Sequence, residues 1–222
     1  MMLCLVTDRR RLGAALGLEA GAWMDALRAQ VFAAGSAGVD LVQVREPDLA
    51  AGAQVALVRT LVADLRHTPT RILVNDRLDV ALAAGAAGVH LKERSFSVES
   101  SRRASPPGFL VGRSVHDPAT AAWAGNADYL IAGTVLPTVS KPLGACLGWE
   151  GLSAVVKAAA ARPVLAIGGI DLPSIPLVAV CGAAGVAAIG AFIPGAGERL
   201  SEFVQKRVID LRLGFDSEHS VS

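Results

Sequence analysis

Four stretches of the chain repeat one pattern: GSAGVDLVQV (35–44), GAAGVHL (85–91), GNADYLIAG (125–133) and GAAGVAAIG (182–190) each set a glycine and small or polar residues before an apolar run. The glycine suits the left-handed residue that ends a helix, and the run after it suits a strand buried on both faces. Each stretch therefore reads as a helix-to-strand junction. Four more short apolar runs, LCLVTD (3–8), RILVN (71–75), FLVGRSV (109–115) and PVLAIGG (163–169), bring the strand count to eight. Segments of helical length rich in Ala, Leu and Val lie at 23–34, 50–65, 118–124, 152–160 and 197–211. Eight strands alternating with helices in 222 residues predict an α/β fold, a single-domain TIM (β/α)8 barrel over 1–215 with a solvated tail at 216–222. The rival, an open doubly wound sheet, expects GxGxxG after the first strand, where Thr7-Asp8-Arg9-Arg10 stands instead.

The composition agrees with a packed globular domain, since 52% of the residues are hydrophobic and 18% charged. A net charge of +1, with no basic run, gives no pull toward nucleic acid or an anionic membrane, so neither is expected as a partner. The apolar run at the N-terminus is too short for a signal or a spanning helix, which predicts a cytoplasmic protein. Cys4, Cys146 and Cys181 are widely spaced and form no CxxC, so they read as small buried residues rather than a disulfide or zinc framework.

In a barrel, the C-terminal strand ends face the active site. Strand 1 delivers Thr7 and Asp8 there, strand 2 Gln43 and Arg45, strand 3 Asn75 and Asp76, strand 4 His90 and Lys92, and strand 5 Ser114 and His116. Strand 6 runs into a loop with Thr138, Ser140 and Lys141. Gly168-Gly169 after strand 7 and Gly190-Ala191 after strand 8 leave backbone N–H groups bare, an arrangement that predicts a phosphate site. Arg45 can clamp a carboxylate or phosphate, and Lys141 can supply a point charge. Asp76 is either a metal ligand or the N-cap of the following segment, the cap being favoured by spacing. His116 is either a general acid/base or a loop histidine bonded to backbone. The stretch 12–23 reads as a long first loop that partly covers the site.

Taken together, LCLVTD, VQVRE, VNDRLDVALAAGAAGVHL, VGRSVHD, DYLIAGTVLPTVSKP, CLGWEGL and VLAIGGI resemble the thiamine phosphate synthase/TenI superfamily over roughly residues 3–195. The resemblance implies a TIM barrel with one of two activities. The synthase joins hydroxymethylpyrimidine diphosphate to thiazole phosphate with magnesium on the diphosphate. The TenI-type tautomerase aromatises a thiazole carboxylate phosphate by proton transfer and needs no metal. Gln43 and Arg45 match the family's QxRxK, although Pro47 takes the lysine position. Asn75-Asp76 match the strand 3 pair, with Asp76 as one metal ligand of the synthase pattern. After strand 4 the synthase pattern is GVHLGQxD; this chain has GVHLKERS, with Ser95 at the aspartate and Lys92 and Arg94 nearby. One carboxylate beside two cations makes a poor magnesium site; either Glu93 substitutes as a ligand, or Lys92 and Arg94 neutralise a diphosphate directly, which keeps the synthase reading open.

The closer resemblance is therefore to the tautomerase, with His116 as the proton-transfer residue and no cofactor. Gln43, Arg45, Asn75, Ser114, Thr138, Ser140 and Lys141 are implied to bind the phosphorylated thiazole, and Gly168, Gly169, Gly190 and Ala191 its phosphate. The second reading is the synthase, with magnesium at Asp76. The third is a non-catalytic thiazole or thiamine phosphate binder. The resemblance also implies a homo-oligomer.

Overall fold

The computed structural model describes residues 1–138, 145–195 and 197–217. Eight parallel strands close into a barrel in sequence order: β1 (Met2–Val6), β2 (Leu41–Val44), β3 (Arg71–Asn75), β4 (Gly88–Leu91), β5 (Leu110–Val115), β6 (Tyr129–Gly133), β7 (Val164–Ile167) and β8 (Gly185–Ala188). Around it lie α1 (Arg9–Ala15), α2 (Trp23–Ser36), α3 (Ala51–Asp64), α4 (Leu78–Ala84), α5 (Val98–Arg103), α6 (Pro118–Ala122), α7 (Gly148–Ala158), α8 (Ile175–Val180) and α9 (Leu200–Asp216). The predicted (β/α)8 barrel is the observed fold. No helix among the described residues is long and apolar enough to cross a membrane.

The strands read as continuous apolar runs because both of their faces are buried. On β1, Leu3 and Leu5 point outward into the layer shared with the helices, while Cys4 and Val6 point into the barrel with Leu73, Tyr129, Ile131 and Leu165. Full burial of each large aliphatic side chain contributes roughly 1.5–3 kcal/mol, so neither layer is dispensable. Burial pushes the Cys4 thiol up to about 12, which leaves it an inert part of the interior. Cys181 is half-buried, but Cys146 is exposed, against the expectation that all three cysteines are interior. Its neighbours in sequence lie on a loop, where burial does not follow from being apolar.

The repeated junction behaves as read at Gly85, which ends α4 at φ 69° and donates its N–H to the Ala81 and Leu82 carbonyls. In the first repeat the left-handed residue is Gly38 rather than Gly35, because α2 continues through Ser36.

Four helices escape the sequence reading. Helices α1, α4, α5 and α8 span only six or seven residues each, too short for a 3.6-residue period to stand out. Stretch 12–23 is thus not a covering loop: it comprises the end of α1, a turn and a 3₁₀ turn at Ala20–Ala22, and Gly13 packs under Trp23. At the other end, α9 runs to Asp216, just inside the predicted tail.

A buried ionic brace joins the first two βα loops. Arg9 reaches Glu46 at 2.8 Å and Asp48 at 2.5 Å, and Arg10 adds a 2.8 Å contact to Asp48. The Arg9 guanidinium holds the Asp48 carboxyl well below the usual carboxylate range.

Closure depends on a backbone contact at the last seam, where Met2 lies opposite Gly185. A Cβ on Gly185 would sit 1.8 Å from the Met2 carbonyl oxygen. Gly185→Ala therefore destabilises toward the upper end of overpacking costs, about 3 kcal/mol, and lowers Tm by roughly 6–12 °C in a domain of this size. Gly52→Ala, on an exposed turn of α3 with nothing near its Cβ, leaves Tm unchanged or higher in the same calorimetric comparison.

Candidate active site

The C-terminal strand ends surround a cavity of about 530 Å³. Its floor is apolar, formed by Val6, Ile131, Ile167 and Ala187 from the barrel interior. Its wall carries Gln43, Arg45, Asn75, Ser114, His116, Thr138, Gly168, Gly169, Gly190 and Ala191, so ten of the predicted site residues come together in one cavity. Ser140 and Lys141 lie outside the described residues.

Two adjacent strands pair their amides on one side. Gln43 Nε2 donates to Asn75 Oδ1 at 2.8 Å. Gln43 Oε1 is buried with no hydrogen-bond partner among the described residues, and a ligand N–H or O–H would relieve the cost of that orphan acceptor. Arg45 is exposed at the mouth, its backbone N–H fixed to Thr7 Oγ1 at 2.9 Å.

Across the barrel, Gly168 (φ 100°) and Gly169 (φ 69°) hold backbone conformations that side chains rarely adopt. Added Cβ atoms would also meet Thr134 Cγ2 at 2.5 Å and Leu136 Cβ at 2.6 Å, so the loop lies flush against the one after β6. Gly190 opens a 3₁₀ turn beside it, at the place the sequence assigns to a phosphate. The sequence reading missed Arg11 here. The Arg11 Nη2 lies 3.4 Å from where a Gly190 Cβ would be, so its guanidinium overhangs the glycine cradle. Asp8 places it: its Oδ1 accepts from the Arg11 N–H at 3.0 Å and caps α1. Recognising Asp8 as an N-cap would have put Arg11 in the first helical turn, facing the mouth.

His116 is anchored by its ring. The Gly133 carbonyl can only accept, so Nδ1 carries the proton in that bond, and Nε2 is the nitrogen left to exchange one. Glu93 stands 3.7 Å from Nε2. That engagement turns Glu93 away from the substitute-ligand role suggested for it.

His90 is a second residue the sequence reading left without a role. It is fully buried between Tyr129 Oη at 3.0 Å and Ser114 Oγ at 2.9 Å, and Ser114 opens onto the cavity. Burial depresses its pKa to about 3, so the imidazole is neutral, and burial also keeps Tyr129 protonated. The signal was the alternation in GVHL: with Val89 and Leu91 facing the helices, His90 must face inward.

Asp76 is not a helix cap. It follows β3 at φ 61°, and the N-cap of α4 is Arg77. Its Oδ2 pairs with Lys92 Nζ at 2.8 Å and its Oδ1 accepts from the Ser95 hydroxyl. Burial alone would raise this carboxyl; the bonds from Lys92 and Ser95 outweigh it and hold it below the usual range. Magnesium needs near-octahedral oxygen ligands, usually with one or two carboxylates. Here both Asp76 oxygens are taken, and no cluster of three or more candidate ligands exists among the described residues. These residues do not fit a resident magnesium ion.

The thiamine monophosphate synthase family profile matches residues 5–192. The chain is 41% identical over 194 residues to a putative thiamine-phosphate synthase of Geobacter sulfurreducens, covering 86% of each chain. It is 40% identical over 192 residues to the thiamine-phosphate synthase of Anaeromyxobacter dehalogenans, covering 85% of this chain and 84% of that one. Among solved structures, thiamine phosphate pyrophosphorylase from Pyrococcus furiosus superposes with a TM-score of 0.76 at 30% identity, covering 98% of this chain and 96% of that one. These relatives carry the synthase name, which favours the second reading of the sequence over the tautomerase reading placed first.

Two expectations follow from the site. Arg11→Ala weakens binding of inorganic phosphate, followed by calorimetry, by roughly ten-fold or more, while Tm stays near wild type because Arg11 is exposed. His90 is neutral when folded and takes up a proton below about 6.5 once unfolded, so stability falls as pH drops from about 6.5 toward about 3. His90→Gln removes that component: between about pH 7.5 and about pH 4.5 its urea midpoint falls less than that of the wild type, and equal falls would contradict a buried neutral imidazole.

Proposed function

We propose a transferase reading for this chain, which belongs to the thiamine monophosphate synthase family and is an enzyme of thiamine biosynthesis. In that reading it is a thiamine-phosphate synthase, joining hydroxymethylpyrimidine diphosphate to thiazole phosphate and releasing diphosphate. The observation that carries the reading is a cavity with two anion-accepting ends. Strand order puts β4 opposite β8 in the ring. Lys92 on the β4 side thus faces the glycine cradle on the β7–β8 side, with Arg45 and Arg11 on the neighbouring loops after β2 and β1 at the rim between them. Two phosphorylated substrates fit such a cavity better than one.

The proposed chemistry needs little more than positioning and charge. The thiazole phosphate sits on the N–H groups around Gly169 and Gly190 under Arg11, with Thr138 beside it. The pyrimidine lies on the apolar floor, with an exocyclic amino N–H donating to the Gln43 Oε1 orphan. The bond from the pyrimidine methylene carbon to the diphosphate oxygen breaks, and its electron pair leaves with the diphosphate toward Lys92 and Arg45. The thiazole nitrogen lone pair forms the new bond to that carbon. Magnesium, in the family's synthase reaction, supplies charge neutralisation to the diphosphate; the residues around Asp76, with both carboxylate oxygens already paired, do not fit it.

His116 favours a second reading, thiazole tautomerisation. A ring fixed at Nδ1 by Gly133 with Nε2 turned toward Glu93 is a geometry suited to moving a proton between substrate atoms. Arg45 would then take the substrate carboxylate.

A paired assay separates the two. The transferase reading expects thiamine phosphate from the two phosphorylated substrates and no aromatisation of the thiazole carboxylate tautomer above the buffer rate. Aromatisation without any synthesis, reduced about 10²- to 10⁴-fold in His116→Ala, would replace the transferase reading with the second one.

A further inference from the structure

We infer that the Lys92 ammonium stands where a divalent cation would be held, so that this chain binds a diphosphate through a built-in charge rather than through a metal ion. The naming of diphosphate as ligand rests on the transferase reading; the placement of the charge does not.

The geometry makes the substitution specific. The Asp76 N–H donates to the His90 carbonyl at 2.8 Å, which locks the end of β3 beside β4. Two residues beyond His90, Lys92 is thereby brought over Asp76, and its Nζ meets Oδ2 at 2.8 Å. The Ser95 hydroxyl takes the other carboxylate oxygen, so the carboxylate has a fixed cation and a fixed donor in place of metal and water. Lys92 also lines the main cavity and a recess next to it, where Glu93, Arg94, Ser114 and His116 are its neighbours and Glu93 is turned toward His116. Lys92, Arg94 and Ser114 are thus the donors on the side where the leaving group departs.

A lysine ammonium is a compact point charge with three donors, able to hold Asp76 and still offer protons to phosphate oxygens. It differs from magnesium in being covalently tethered, so its occupancy does not depend on the metal concentration.

The test is a calorimetric titration with inorganic diphosphate, in chelator and in excess magnesium. Wild-type affinity is expected to agree between the two conditions within about three-fold. Lys92→Met weakens binding in chelator by roughly ten-fold or more, and Lys92→Arg recovers most of it. The double variant Lys92→Met/Ser95→Asp, which offers two carboxylates and no tethered cation, binds diphosphate only when magnesium is supplied. Wild-type binding that appears only with magnesium, or a Lys92→Met variant that binds unchanged in chelator, overturns the inference. Chelator-insensitive binding with no thiamine phosphate formed in the paired assay keeps the built-in charge and removes the transferase reading. Magnesium-dependent binding together with synthesis does the reverse.

Discussion

Where β1 passes β8, the carbonyl of Met2 comes so near Gly185 that no side chain fits between them, and that contact turns a ribbon of eight strands into a ring. The ring dictates the site. Parallel strands in a closed sheet all end on the same side, so residues as distant in sequence as Gln43, His116 and Gly190 share one cavity without any loop having to fold back. It also settles which side chains meet across the mouth, since every strand has a fixed opposite.

Inside the ring the polar groups are few and held neutral. Tyr129 fills the space left by Gly112, whose Cβ would fall 2.1 Å from its ring, and its hydroxyl joins the chain through His90 to Ser114. A charged imidazole at that depth would lack any compensating carboxylate in hydrogen-bond contact, so the burial that builds the barrel also sets the protonation state of its one inward histidine. At the mouth the balance reverses, and charges are exposed enough to be paired and exchanged.

Much of this is legible in the sequence. Glycine-to-apolar junctions recur with a spacing that admits a barrel, and strand ends can be read off as the residues after each run, which places ten candidate residues around one cavity. What sequence hides is what lies off the strand axis. Helices of six or seven residues show no period; Arg11 acts from a helical turn whose start depends on the Asp8 cap; and Asp76 looks like a cap until β4 is placed beside it. The departure of GVHLKERS from the family pattern is visible as a string, but that Lys92 rather than Glu93 answers it requires coordinates. The relatives, for their part, favour the transferase over the tautomerase that the same motif suggested first.

The ionic brace under the first loop bears on how the cavity meets a ligand. Arg9 is bound to Glu46 and Asp48, and Asp8 caps the helix they share, so the turn that carries Arg11 is tied both to its own strand and to the loop after β2. A guanidinium on so well anchored a turn has little backbone freedom left to surrender when a phosphate arrives. The glycine cradle beneath it is equally fixed by its contacts with Thr134 and Leu136. The glycine end of the cavity is thus preorganised, and the entropy of ordering any ligand it takes falls mostly on that ligand itself.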